Sequence, residues 1–126
     1  MNLLLDTHVA LWAFAQPERL SARMRDLISD PRHTVAISAA TVWEVEIKRR
    51  LGKLRAPDGF ATECRERGFD ELPIGFAHAE TAGQLPRHHD DPFDRMLIAQ
   101  ALIEGYEIVT TDETFSRYEV ALLDPT

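Results

Sequence analysis

Apolar residues recur along this chain in two alternating rhythms. Short runs rich in leucine and β-branched residues alternate with longer stretches where apolar positions return every three or four residues. The runs Asn2–Leu5, Thr34–Ile37, Phe69–Ile74, Glu107–Thr110 and Val120–Leu123 predict strands. Helical spacing predicts Thr7–Ala15, Leu20–Ser29, Ala39–Leu51, Asp58–Arg67, Ala77–Leu85 and Pro92–Glu104 between them. The punctuation agrees with this division. Gln16-Pro17 and Asp30-Pro31 interrupt helices, and Ser38 stands where an N-cap belongs. Gly52, Gly68 and Gly105 follow helix ends, while Pro92 suits a first helical position. His88–Asp91 reads as loop. Strands alternating with helices predict an α/β fold, with a parallel sheet covered by helices on both faces. In such sheets ligands bind beyond the carboxyl ends of the strands.

That rim is where two aspartates fall. Asp6 closes the first strand, and Asp112 follows the strand Glu107–Thr110. Either one alone reads as a turn or cap residue; the pair on one rim points to a site. Glu44 lies within the helix Ala39–Leu51, on the stripe Ala40, Glu44, Ile47 and Leu51, with Trp43 beside it. A carboxylate buried there must be protonated, paired or bound to metal. The competing reading is a surface Glu44–Lys48 pair on a helix that packs by another face. Glu46 points to the opposite, solvated side. Asp94 sits in the third position of a helix capped by Asp91, where the helix dipole already favours a carboxylate. It also heads the inward stripe Asp94, Leu97, Ile98 and Ala101.

Composition narrows what such a cluster can do. The 126 residues fit one domain, 1–126, with 14 basic and 21 acidic side chains and a net charge of −7. That balance excludes a broadly basic nucleic-acid surface, but not nucleic acid gripped at a metal centre, because a bound cation inverts the local sign. Lys48, Arg49, Arg50, Lys53 and Arg55 form a basic run that reads as a solvated helix end. Cys64, the one cysteine, excludes a disulfide framework and a four-thiolate zinc site. No apolar run approaches the ~20 residues that span a bilayer. Because Met1–Leu5 reads at once as strand, no signal peptide is expected, and a reduced, cytoplasmic setting follows.

If Asp6, Glu44, Asp94 and Asp112 converge, they repel. Two unit charges ~4 Å apart repel by about 4 kcal/mol at an effective dielectric of 20. An all-oxygen set suits Mg²⁺ or Mn²⁺, not zinc. Thr7, Ser38, Thr110 and Thr111 carry hydroxyls that could orient the carboxylates. Arg95, Lys48 and Arg49 are then candidates to hold flanking phosphates of a nucleic acid. His8 reads as a helix-surface histidine. His88-His89-Asp90-Asp91 is not taken as a metal site, because adjacent loop residues rarely point at one ion. Neither a glycine-rich nucleotide loop nor a Gly-x-Ser-x-Gly elbow is present.

Four blocks in order carry a resemblance. They are Leu4-Leu5-Asp6-Thr7-His8, Ile37 through Val45, His89 through Ala101, and Val109-Thr110-Thr111-Asp112. Together they resemble the PIN-domain ribonucleases, specifically the VapC-like toxins of bacterial toxin–antitoxin pairs, essentially end to end. The resemblance implies a three-layer sandwich with five parallel strands ordered 3-2-1-4-5. It implies that Asp6, Glu44, Asp94 and Asp112 form the acidic metal site, with Asp91 as a plausible helper. It further implies Mg²⁺- or Mn²⁺-dependent endoribonuclease activity, a homodimer, and a small cognate antitoxin bound near the active site. Two rivals stand beside it. A receiver-like Mg²⁺-binding signalling domain would need a lysine after the last strand, where Leu123-Asp124-Pro125-Thr126 stands. A non-catalytic binding module would keep its function without the acidic residues.

Overall fold

The computed structural model describes residues 1–126. Its central strand is β1 (Asn2–Leu5), buried from Leu3 to Leu5. It pairs in parallel with β2 (Thr34–Ser38) on one side and β4 (Glu107–Val109) on the other. Outside these lie β3 (Asp70–Leu72), against β2, and β5 (Leu122–Leu123), against β4. The order is therefore β3-β2-β1-β4-β5, parallel throughout. Helices α1 (Thr7–Ala15) and α2 (Ala22–Ser29) join β1 to β2. Helices α3 (Ala39–Arg50) and α4 (Phe60–Glu66) join β2 to β3, and α5 (Phe76–Gln84) and α6 (Pro92–Glu104) join β3 to β4. The chain steps outward from β1 to β3, then returns across the sheet to β4. The strand order thus reverses between β1 and β4, the place where open α/β sheets bind ligands.

Side-chain alternation along the strands makes the three layers. Leu3 and Leu5 face one core with Val35, Ile37 and Val109, packed against Val9 and Ala10 of α1, Met24 of α2 and Phe60 of α4. Leu4 faces the other with Ala36 and Ile108, packed against Leu97, Ile98 and Ala101 of α6 and against Phe115 and Tyr118. Strands buried on both faces explain the apolar runs.

The expected elements are all present, with shorter edges. Helix α2 begins at Ala22 because Ser21 caps it, its Oγ accepting from the Met24 amide at 3.0 Å. Leu20 stays outside the helix but remains buried. Helix α4 begins at Phe60, two residues later than expected, because Gly59 takes the left-handed φ of 75°. The edge strands β3 and β5 contract to three and two residues, respectively.

The Arg95 guanidinium is engaged inside the fold. It donates to the carbonyls of Ala82, Leu85 and Pro86 at 3.0, 2.9 and 2.9 Å, and to the Tyr118 hydroxyl at 3.2 Å. These bonds staple the end of α5 and the following loop to α6. A charged donor bonded to carbonyls is worth more than a neutral one. Arg95→Met should therefore lower unfolding free energy by about 2 kcal/mol, measured by urea denaturation. A change within experimental scatter would show the staple to be idle.

Candidate active site

The reversal point brings Asp6 beside the end of β4. The Asp6 amide donates to the Val109 carbonyl at 3.1 Å, extending the β1–β4 ladder past the last strand residue. The Asp6 carboxylate caps α1, with Oδ1 accepting from the Val9 amide at 2.9 Å. Its Oδ2 accepts from Thr110 Oγ1 at 2.5 Å, and that same hydroxyl oxygen accepts from the Asp112 amide at 3.0 Å. Thr110 thus ties the two rim aspartates together. Asp112 in turn caps the 3₁₀ turn Glu113–Arg117, accepting from the Thr114 amide at 2.9 Å.

Glu44 reaches the same rim from α3. Only 6% of the residue is exposed. Thr7 Oγ1 donates to Oε1 and Lys48 Nζ to Oε2, each at 2.5 Å. The carboxylate is therefore buried on the packed face of the helix and paired there with Lys48, so the reading of a surface pair on a helix packed by another face does not hold. The stripe around it differs from expectation. The buried face of α3 is Ala40, Thr41, Glu44 and Val45, whereas Trp43 and Leu51 are exposed. Leu51 falls at the helix C-cap, its amide still bonded to the Ile47 carbonyl at 3.1 Å and its side chain in solvent. Beyond it Gly52, at φ 70°, lets the chain turn back. Its amide meets the Arg49 carbonyl and the Lys53 amide meets the Lys48 carbonyl, a Schellman closure. That turn brings Lys53 and Leu54 to the cavity.

Asp94 comes from the first turn of α6, which Asp91 caps by accepting from the Phe93 and Asp94 amides at 2.9 and 3.1 Å. His89 Nε2 lies 3.2 Å from Asp94 Oδ2, and His89 Nδ1 lies 2.7 Å from the Tyr118 hydroxyl. In the tautomer that serves an ionised Asp94, Nε2 donates to the carboxylate and Nδ1 accepts from Tyr118. Tyr118 itself accepts from Arg95. A relay from Arg95 through Tyr118 and His89 therefore holds Asp94. Sequence reasoning missed His89 and Tyr118 as its partners.

These groups line one cavity of about 180 Å³, with Asp6, Glu44, Asp91, Asp94 and Asp112 facing Lys48 and Lys53. Thr7, Thr111 and His8 also line it. Ser38 does not: it is fully buried and caps α3 through the Ala40 amide at 3.0 Å. Arg49 stands outside the cavity, paired with Glu46 at 2.9 Å and with Asp58.

The electrostatics follow from five acids in a small space. Burial pushes the Asp6 carboxyl above its ordinary value, against the bonds from Thr110 and Val9. Burial and then the Asp91 charge push Asp94 up to about 7, against the bond from His89. Asp112 goes the other way. Burial opposes its ionisation, but the Thr114 bonds and the nearby His89 and His8 outweigh it. The donor chemistry fits a hard divalent cation, since a cavity lined by carboxylates with no thiolate is what Mg²⁺ or Mn²⁺ takes. No three of the acidic or histidine side chains stand close enough together to cage an ion as they are placed. Each carboxylate is turned to a donor of its own.

A model of the PIN domain family matches residues 3–121. Ribonuclease VapC22 of Mycobacterium tuberculosis is 28% identical over 114 residues, covering 88% of this chain and 87% of that protein. Ribonuclease VapC16 of the same organism is 38% identical over 60 residues, covering 46% of this chain and 43% of that protein. The match thus spans under half the length of the second relative. Among solved structures, DNA-bound VapBC from Salmonella typhimurium aligns with a TM-score of 0.71 at 22% identity, covering 100% and 99% of the two chains. A toxin–antitoxin complex from Klebsiella pneumoniae aligns with a TM-score of 0.67 at 20% identity, covering 98% of each.

The raised Asp94 value has a stability sign. An acid held above its unfolded value prefers to be neutral in the folded state. Its ionisation destabilises the fold increasingly from about pH 4 up to the folded value near 7, and fully above it. In chelator, Asp94→Asn should therefore be more stable than the wild type at pH above 7, by about 2 kcal/mol. The advantage should shrink toward pH 5. Thermal melts across that range check it; a variant less stable at alkaline pH would contradict it.

Proposed function

The chain belongs to the PIN-domain family, and from that premise we propose that residues 1–126 form one PIN domain acting as a metal-dependent endoribonuclease. The observation that carries the reading is the single acidic cavity at the strand-order reversal, lined by Asp6, Glu44, Asp94 and Asp112. The names of the relatives, ribonucleases VapC16 and VapC22, supply the reaction class. Family membership leaves the receiver-like alternative without support.

In this proposal Asp6, Glu44, Asp94 and Asp112 hold Mg²⁺ or Mn²⁺. When bound, the ion supplies Lewis acidity toward water and toward a phosphate oxygen of the scissile diester. The protein's part is orientation. Thr110 and the Val9 amide fix the Asp6 carboxylate, so it offers its remaining lone pairs in one direction. His89, braced by Tyr118, does the same for Asp94. Thr7 fixes Glu44. Preorganised groups of this kind lower the reorganisation that accompanies developing charge. Without a cation the cavity repels a phosphodiester. Lys48 and Lys53, both on the cavity wall, are the cations placed to meet flanking phosphates.

The same reading makes the chain the toxin of a toxin–antitoxin pair, with RNA as substrate, a small antitoxin as partner, a homodimer as its assembly and the cytoplasm as its setting. No helix is long and apolar enough to cross a membrane.

The test is cleavage of RNA by purified protein, with 5′-end sequencing to place the cuts. Wild type should cleave with Mg²⁺ or Mn²⁺ and stop in chelator. Asp6→Asn and Asp94→Asn should lose at least about a hundredfold of the rate while keeping the wild-type circular dichroism. Undiminished cleavage by the double variant would overturn the assignment. Absence of cleavage by wild type with both metals, across total cellular RNA, would favour a non-catalytic module.

A further inference from the structure

Glu44 is the one acid in the cavity whose carboxylate is held by an ammonium group. Asp6 is held by a hydroxyl and an amide, Asp94 by an imidazole, and Asp112 by an amide. On Glu44, both oxygens are taken, by Thr7 Oγ1 and by Lys48 Nζ, each at 2.5 Å. The Glu44 side chain is 8% exposed and that of Lys48 40%. An exposed i,i+4 pair of this spacing contributes little. This one differs, because one partner is buried on the wall of an acidic cavity, so loss of the lysine would leave an unpaired buried charge.

Lys48 also sits where the acids crowd. It lines the same cavity as Asp91 and Asp94, and both add to the attraction on its charge. A positive charge at hydrogen-bond distance from a buried carboxylate, among further carboxylates, occupies the electrostatic position that a divalent ion would take. Two cations cannot share Glu44 Oε2 without repelling each other.

We propose that Lys48 is a displaceable internal counter-ion, which neutralises Glu44 in the metal-free protein and competes with the divalent cation for that carboxylate. The proposal rests on the metal-dependent reading above and goes beyond it. Lys48 is then a positioning residue in the metal-free state. Once displaced, its flexible stem and partial exposure let the ammonium turn to the cavity mouth and meet an anionic oxygen of the substrate.

Calorimetric titration with MnCl₂ near neutral pH tests this on the full chain. Lys48→Met and Lys48→Gln should bind Mn²⁺ at least about fivefold more tightly than wild type. Lys48→Gln keeps a hydrogen-bond donor for Glu44 without the charge, and so remains informative should Lys48→Met fail to fold. In chelator both variants should melt below the wild type, and saturating Mn²⁺ should close that gap. Arg23→Met removes one positive charge from exposed α2 and should leave affinity within about twofold. Equal or weaker Mn²⁺ affinity in both Lys48 variants, with wild type binding normally, would overturn the counter-ion role alone. No Mn²⁺ binding by wild type or any variant would overturn the metal-dependent reading as well.

Discussion

Carboxylates that are distant in sequence repel one another when the fold brings them to one rim. Asp6 and Asp112 arrive there because β1 and β4 are neighbours and end together. Glu44 and Asp94 arrive because α3 and α6 follow or precede strands of the same sheet. No local preference would gather these charges, and each pair costs free energy in a partly buried space. The surrounding structure can be understood as the means of tolerating that cost. Thr110 bridges Asp6 and Asp112, His89 meets Asp94, and Lys48 meets Glu44. Burial nevertheless holds the Asp6 and Asp94 carboxyls above their ordinary values.

The support for this rim extends well into the fold. Arg95, in the first turn of α6, bonds the carbonyl of Ala82 in α5, those of Leu85 and Pro86 just beyond it, and the Tyr118 hydroxyl. Tyr118 is buried against the sheet and passes a hydrogen bond to His89. The orientation of Asp94 is therefore coupled to the packing of the second core, at a distance from the carboxylate itself. Such outer contacts fix the direction in which a ligand oxygen points. A loop of polar residues, His88–Asp91, acquires a defined shape through them.

Much of this was legible in the residues. The end-of-strand positions of Asp6 and Asp112 followed from the apolar runs before them, and the third-position placement of Asp94 followed from Asp91-Pro92. Glu44 was legible from helical phase, although the stripe through Leu51 was not, since Leu51 stands in solvent at the helix C-cap. The helix-covered parallel sheet followed from the pattern of alternation, and the strand order from the family resemblance alone. What stayed hidden has a common cause. His89 and Tyr118 meet across 29 residues, through a loop whose backbone path no periodicity encodes. Arg95 turned to carbonyl oxygens, which every residue carries and which leave no mark in a sequence. The edge strands shortened because each pairs on one side only, where fewer ladder bonds hold the ends.

In the proposed function the acidic cavity is an electrostatic arrangement completed by a hard divalent ion. The most direct test is the melting temperature of the wild-type protein at mildly alkaline pH, followed as Mn²⁺ is raised over several decades. Binding to the folded state alone should raise the midpoint steadily with the logarithm of concentration once the site begins to fill. A midpoint that stays flat, or falls, across the whole series would contradict the account.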